Sequence, residues 1–247
     1  MSAAAASSTV VSVVDYGVGN LYSVCRALEH CGARVQLVST AAEVAAADRL
    51  LLPGVGAFAD GMAGLRERGL IEPIQRFAAS HKPLLGICLG MQMLASGSDE
   101  FGAHDGLGLI PGRVVPLPAL RVDGTRQKIP HVGWSALHAP RPDAWRDTVL
   151  QGCAEDTAVY LVHSYHFVAD DAAAVLANCL YGGHVITAAI RSRNLTGCQF
   201  HPEKSGEAGL NILRTFIHAV SGHVSSHVPG QTPGEIASPA PLLQPAP

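Results

Sequence analysis

The chain has 247 residues, a net charge of −3 and an apolar content of 48%, which suit one α/β domain with a substantial buried core. Because lysines and arginines form no cluster or stripe, we expect neither nucleic acid nor an anionic membrane as a partner. No apolar run approaches the roughly 18 residues of a membrane helix, and residues 1–8 lack the features of a signal peptide. We therefore expect a cytoplasmic protein.

The first half of the chain alternates short apolar strands with amphipathic helices. An apolar run at 9–14 predicts a buried strand, and apolar residues at helical spacing from Leu21 to Cys31 predict the helix that follows. The alternation continues with predicted strands at 33–38, 49–52 and 83–87 and helices at 40–47, 61–68 and 71–80. This order indicates a mostly parallel sheet with helices on both faces.

After about residue 110 the pattern changes to extended segments. The predicted strands lie at 113–117, 128–137, 160–168, 175–181, 184–191 and 194–200, with Gly182-Gly183 as a hairpin turn. A closing helix presents Leu210, Leu213 and Phe216 on one face, and Ser205 is its expected cap. The predicted fold class is α/β, with an open, mixed, mostly parallel sheet and added strands in the second half.

The predicted domain spans 9–220, between a short N-terminal segment at 1–8 and a tail at 221–247. The tail is rich in Pro, Ser, Gly and Gln, and it has few large apolar side chains to offset the entropy cost of ordering. We predict that 1–8 is flexible, and that the tail is disordered and dispensable for chemistry.

A candidate nucleophile, Cys88, lies between Gly86 and Gly90 directly after a predicted strand. Small residues two positions either side of a nucleophile allow a sharp strand-to-helix turn that presents its side chain above the sheet. The reactive thiolate is favoured by a helix N-terminus and by a nearby imidazole. An isolated cysteine is more often structural, and the two glycines argue against that reading.

The triplet His201-Pro202-Glu203 supplies the remaining groups of a Cys-His-Glu acyl-transfer site. Pro202 disfavours helical geometry at His201, so that His201 and Glu203 can lie side by side. His201 would then accept the thiol proton and return it to the leaving amine, while Glu203 fixes the imidazole tautomer and stabilises the imidazolium.

Two glycine-rich turns follow predicted strands. The turn at 15–20 does not fit a dinucleotide-binding loop, because Tyr22 occupies the third small position; it is a tight turn or faces a ligand or partner. The turn at 53–56 is either a simple end to the strand or, as its second glycine favours, a place where backbone amides would approach a ligand; Val55 or Gly56 with Leu89 would then form an oxyanion hole. The twelve histidines and six cysteines show no metal-ligand spacing, so we predict no metal.

The motifs around Cys88 and His201 resemble those of the class I, triad-type glutamine amidotransferases. Segments at 15–20, 53–58, 130–134 and 162–165 resemble, in order and spacing, the family of glutaminase subunits (HisH) of imidazole glycerol phosphate synthase. The resemblance covers about residues 9–220 and implies a flavodoxin-like fold without a cofactor. It also implies that Cys88 attacks glutamine to give ammonia and a γ-glutamyl thioester, which water hydrolyses to glutamate.

Further site residues follow from the resemblance alone. The implied glutamine pocket contains Gly54, Gly56, Gln92, Tyr160, Ser164 and Tyr165. The implied partner face contains Asn20, Pro130, Trp134 and Lys204. The partner would be the cyclase subunit HisF, a separate (β/α)₈ barrel in a heterodimer, which uses the ammonia to form imidazole glycerol phosphate and AICAR in histidine biosynthesis. Ser135 stands where this family usually has Asn.

Other functions share the same motifs. The glutaminases of anthranilate, carbamoyl phosphate, GMP and pyridoxal phosphate synthesis carry a similar elbow and His-Pro-Glu triplet. A cysteine peptidase or γ-glutamyl hydrolase on this fold is a second class, and a noncatalytic regulatory subunit is a third. A partner requirement for turnover would distinguish an amidotransferase from a stand-alone hydrolase.

Overall fold

The computed structural model describes residues 8–17 and 19–219 of the chain. Most of the predicted flexible N-terminus, at 1–7, and the predicted tail at 221–247 lie outside the described residues. Within the described ranges, no helix is both long enough and apolar enough to cross a membrane.

Strands and helices alternate through the first half of the chain, and strands dominate the second half. The strands are β1 Val10–Val14, β2 Arg34–Val38, β3 Leu50–Leu52, β4 Leu84–Ile87, β5 Gly97–Ser98, β6 His104–Asp105, β7 Gly112–Pro116, β8 His131–Ala136, β9 Ala158–His163, β10 Tyr165–Ala169, β11 Val175–Tyr181, β12 His184–Ser192 and β13 Leu195–Cys198. The α-helices are α1 Leu21–His30, α2 Ala41–Ala46, α3 Phe58–Glu67, α4 Ile71–Ala79, α5 Leu89–Met93 and α6 Gly206–His218.

A seven-stranded sheet with the order β11-β12-β13-β4-β3-β1-β2 forms the centre of the domain. The five strands from β13 to β2 are parallel, and β12 and β11 add antiparallel pairs at one edge. A four-stranded sheet, β10-β7-β5-β6, and the β8–β9 hairpin supply the added strands of the second half. This architecture confirms the predicted α/β fold with a mixed, mostly parallel sheet.

Both faces of the central sheet are covered, which explains why the central strands β3 and β4 contain no polar side chain and are fully buried. Leu51 of β3 packs into a core cluster on one face with Leu28 of α1 and Phe216 of α6. Its neighbour Leu52 belongs to the cluster on the other face, which includes Phe58 of α3. These side chains are at most 2% exposed, and burial of each such side chain contributes about 1.5–3 kcal/mol.

The prediction of one strand at 160–168 was wrong. The structure has two strands there, β9 and β10, which belong to different sheets and are separated at Ser164. The carbonyl of Ser164 accepts a hydrogen bond from the Leu117 amide at 2.9 Å instead of joining the β8–β9 ladder. The apolar pattern continues through both strands, and so it does not reveal the change of sheet.

Ser205 is the N-cap residue of α6, as predicted, but its side chain makes no capping hydrogen bond. Its hydroxyl donates to the His201 carbonyl at 2.7 Å and accepts from the Tyr160 amide at 3.0 Å. Ser205 therefore ties β9 to the segment that carries His201.

Smaller differences concern the ends of elements. Helix α3 begins at Phe58 rather than at 61. Strand β8 begins at His131 rather than at 128, because Pro130 has no amide hydrogen to donate to a ladder. The two-residue strands β5 and β6 were not predicted, since a periodic pattern cannot show in so few residues.

Candidate active site

Cys88 lies at a strained turn between β4 and α5. Its φ of 53° and ψ of −113° are unusual for a residue with a side chain. A Cβ atom on Gly90 would lie 1.9 Å from the Leu52 carbonyl oxygen, and one on Gly86 would lie 2.7 Å from the Gly90 oxygen. Both glycines are therefore required for this turn. Helix α5 has only five residues, so its dipole is much smaller than that of a long helix.

His201 reaches the same end of the sheet because β13, which precedes it, pairs directly with β4. Its backbone is extended, as the following proline predicts, with φ −101° and ψ 98°. Its Nδ1 lies 2.8 Å from Oε1 of Glu203, and both side chains are buried. The other carboxylate oxygen of Glu203 is buried without a hydrogen-bond partner in the described structure.

The surroundings of His201 favour its charged form. Burial opposes the imidazolium, but hydrogen bonds with Cys88 and Glu203 and the negative charges of both outweigh burial. Together they raise the pKa of His201 to about 9. The ring is therefore protonated at neutral pH and can donate a proton beside the Cys88 sulfur.

A cavity of about 350 Å³ borders Cys88 and His201. Six of the predicted oxyanion and glutamine-pocket residues line it: Val55, Gly56, Leu89, Gln92, Ser164 and Tyr165. This volume falls in the range of small-molecule sites. A larger cavity of about 480 Å³ lies at the opposite ends of β4 and β13, near Leu84 and Thr196, and contains none of the predicted residues.

Two predicted pocket residues lie outside this cavity. A Cβ atom on Gly54 would lie 2.5 Å from the Tyr16 hydroxyl and 3.0 Å from Cβ of Leu89, so Gly54 allows the elbow to pack closely. The ring of Tyr160 packs edge-on against Trp134, with centroids 6.0 Å apart. The Tyr160 carbonyl accepts the His201 amide at 2.9 Å, so Tyr160 supports the imidazole-bearing segment through its backbone.

Three of the four predicted partner residues border the cavity or its neighbour, and Trp134 lies on β8 outside both. Pro130 and Lys204 line the cavity itself. Asn20 and Lys204 line a small adjoining cavity that also contains Gly54. The Asn20 side chain caps α1 by accepting the Ser23 amide. Trp134 is 58% exposed on β8.

Sequence reasoning missed Gln199, which contacts the sulfur. Its side chain is fully buried, and Nε2 lies 3.8 Å from Sγ of Cys88. Its Oε1 accepts a hydrogen bond from Gln92 at 2.9 Å. The available signal was a polar residue inside an apolar strand, two positions before His201 and therefore on the same face.

Three further cavity residues were also missed: Glu100, Val162 and His163. Glu100 accepts the Phe58 amide at 2.6 Å and thereby caps α3. The Val162 carbonyl lies 3.9 Å from the Cys88 sulfur. Val162 and His163 belong to the 162–165 segment but were not predicted as site residues, and Glu100 belongs to none of the predicted motifs.

Among the residues that the structure describes, one group of possible metal ligands occurs away from the cavity. His138 lies 3.2 Å from Glu155 and 3.3 Å from Asp156, and both carboxylates are exposed. Glu155 also accepts the Ala139 amide. These contacts stabilise the loop before β9, and the absence of a metal site stays a prediction.

Comparison with known proteins matches residues 12–220 to the family model of glutamine amidotransferase class I. The chain belongs to the class I glutamine amidotransferases. It is 53% identical over 208 residues to imidazole glycerol phosphate synthase subunit HisH 1 of Legionella pneumophila (strain Lens), which covers 84% of this chain and 98% of the relative. The HisH subunit of Syntrophotalea carbinolica is 45% identical with the same coverage.

Solved structures support the fold of this glutamine amidotransferase. PurLQS from Thermotoga maritima superposes with a TM-score of 0.64 at 20% identity, covering 85% of this chain and 98% of that one. A glutamine amidotransferase from the same organism gives a TM-score of 0.60 at 13% identity, covering 86% and 97%. At these identities the likeness concerns the fold alone.

Proposed function

We propose that this amidotransferase is the glutaminase subunit of an imidazole glycerol phosphate synthase, in which it hydrolyses L-glutamine at Cys88. The observation that carries the proposal is the position of Cys88 and His201 on one cavity of about 350 Å³, with Glu203 2.8 Å from Nδ1 of His201. The match to HisH subunits at 45–53% identity supports this choice of synthase.

In the first step, the sulfur of Cys88 attacks the side-chain amide carbon of glutamine. A C–S bond forms, and the carbonyl electron pair moves onto oxygen to give a tetrahedral oxyanion. We assign the Leu89 amide and an amide of Val55 or Gly56 as its donors, because these residues line the cavity beside Cys88. Loss of one such donor typically costs about 10²–10³ in rate.

In the second step, His201 donates its proton to the amide nitrogen. The C–N bond breaks, ammonia leaves, and a γ-glutamyl thioester remains on Cys88. Water then adds to the thioester while His201 takes a proton from it, and collapse of the second tetrahedral species releases glutamate and the thiolate. Glu203 keeps Nδ1 of His201 protonated throughout, through the 2.8 Å contact.

Gln92, Ser164 and Tyr165 would hold the amino-acid end of glutamine. Both amide hydrogens of Gln92 are already used, one by the Tyr165 carbonyl and one by Gln199. Its Oε1 therefore stays available to accept a hydrogen bond from the substrate ammonium group. Ser164 lies between strands of two different sheets and borders the cavity.

The ammonia would pass to a cyclase subunit, the HisF barrel, to form imidazole glycerol phosphate and AICAR. Release into water at neutral pH would protonate ammonia and remove its nucleophilicity, so the two subunits must meet near the cavity. Pro130, Lys204 and Asn20 lie at its border, and Trp134 adds an exposed aromatic side chain of the kind that anchors interfaces. The free cysteines fit a reducing cytoplasm.

A Cys88→Ala variant tests this division of labour. We expect it to lose glutamine-dependent synthase activity with the cyclase, while an added ammonium salt still supports cyclisation. Cys153→Ala, which changes a half-buried cysteine outside the cavity, is the matched control and should keep both activities. The proposal would be contradicted if Cys88→Ala, but not Cys153→Ala, lost the ammonia-dependent reaction. It would also be contradicted if Cys88→Ala kept the glutamine-dependent reaction.

A further inference from the structure

Two buried amide side chains connect the cavity wall to the Cys88 sulfur. Gln92 Nε2 lies 3.1 Å from the Tyr165 carbonyl oxygen, which can only accept, so this nitrogen is a donor. It also donates to Gln199 at 2.9 Å, so the facing atom of Gln199 must be its oxygen. Gln199 therefore directs its Nε2–H toward Cys88 Sγ, at 3.8 Å.

The Tyr165 carbonyl also accepts from one buried histidine, which is in turn bonded to a second. His163 Nδ1 donates to this carbonyl at 2.9 Å, which leaves Nε2 of His163 to accept from Nδ1 of His131 at 3.1 Å. Nε2 of His131 in turn accepts from the Ser135 hydroxyl at 3.0 Å. The bonds thus require the Nδ1–H tautomer in both rings.

Both rings stay neutral at physiological pH, which preserves this direction of donation. Burial lowers the pKa of His131. Burial also lowers the pKa of His163 to about 3, assisted by repulsion from His131, His166 and His201 and opposed only by the hydrogen bond to Tyr165. Donation therefore converges on the Tyr165 carbonyl, from the Ser135, His131 and His163 series on one side and from Gln92 on the other.

We propose that Gln199 is a further catalytic residue, whose Nε2–H stabilises the anionic sulfur of Cys88. The hydrogen bond from Gln92 to its Oε1 prevents its amide from rotating, and the series that begins at Ser135 holds the Tyr165 carbonyl to which Gln92 also donates. An anionic sulfur accepts a hydrogen bond more strongly than a thiol does, and the full burial of Gln199 excludes competing water from its side chain. This role rests on the proposed function of Cys88 as nucleophile, and Ser135, His131 and His163 act as positioning residues.

Gln199→Met tests the role, because methionine has a similar length and no N–H donor. Alkylation of Cys88 by iodoacetamide is followed by mass spectrometry of its peptide at pH 6 and pH 10. We expect alkylation about tenfold slower at pH 6, the lower end for a hydrogen bond to a charged group, and little changed at pH 10. Gln75→Met removes a part-buried amide that donates to Leu107 outside the site, and it should alter neither rate.

An unchanged rate at pH 6, or equal slowing at both pH values, would overturn the role of Gln199. A second measurement needs no variant: ¹⁵N NMR of the histidine rings in the unmodified full chain should show Nδ1–H in both His131 and His163. An Nε2–H ring at either position would overturn the network. Since neither experiment requires glutamine turnover, failure of the proposed function would appear separately, as absence of glutamate release by the wild-type complex.

Discussion

Replacement of Glu203 by Gln removes the negative charge beside His201 while retaining an oxygen that can accept from Nδ1. In the wild type, Oε1 of Glu203 lies 2.8 Å from Nδ1, and both side chains are buried. Because the His201 pKa of about 9 lies above its ordinary value of 6.5, the charged ring is present at neutral pH and is lost as the pH rises through about 9.

The expected size of the change follows from the strength of this contact. A hydrogen bond to a charged group is worth about 1.5–3 kcal/mol, and one pKa unit corresponds to about 1.4 kcal/mol. The burial that opposes the charge remains in the variant. We therefore expect Glu203→Gln to lower the pKa of His201 by about one to two units, so that at pH 8.5 about a quarter or less of the rings stay charged.

NMR titration of the His201 ring measures this pKa directly, and glutaminase rates with the cyclase across the same pH range give the functional counterpart. The high-pH loss of activity should move to lower pH by the same amount as the NMR midpoint. Glu207→Gln removes an exposed carboxylate paired with Arg214 and should leave both unchanged. A His201 midpoint that stays near its wild-type value in Glu203→Gln would refute the assigned origin of the raised pKa.

Three further outcomes are expected. Gly90→Ala should lower the free energy of unfolding in urea by about 3 kcal/mol, whereas Gly152→Ala, where a Cβ meets nothing within 4 Å, should change it little; equal effects would contradict the elbow packing. Trp134→Ala should weaken cyclase binding in calorimetry by about 2 kcal/mol, unlike Val185→Ala, which removes another exposed side chain. Deletion of 221–247 should leave the glutaminase rate unchanged, and a large loss in a folded truncation would give the tail a function.

The local geometry at Cys88 and His201 was predictable because it depends on neighbouring residues. Gly86 and Gly90 are needed where a Cβ would meet backbone atoms, and Pro202 restricts the backbone of the residue before it. The position of Cys88 beside His201 was harder to predict from the sequence. It depends on the pairing of β13 with β4, strands more than a hundred residues apart, which no local pattern specifies.

Failures of prediction occur where tertiary structure decides the role of a side chain. The strand predicted at 160–168 changes sheets at Ser164, and the hydroxyl of Ser205 bonds to His201 and Tyr160 instead of capping α6. Gln199 was predicted as part of a strand, and it contacts Cys88 because it follows β13, which pairs with the strand β4 that precedes Cys88. Local propensity does not encode these long-range hydrogen bonds.

The measurement that tests the central claim most directly is glutamate release from glutamine by the full chain in three conditions. These are the chain alone, the chain with the cyclase subunit, and the chain with the cyclase and its nucleotide ligand. We expect strong stimulation by the ligand-loaded cyclase, and none of this activity in Cys88→Ala. Equal glutamate release in all three conditions would instead indicate a stand-alone hydrolase, and no release in any of them would contradict the assignment of this chain to the synthase.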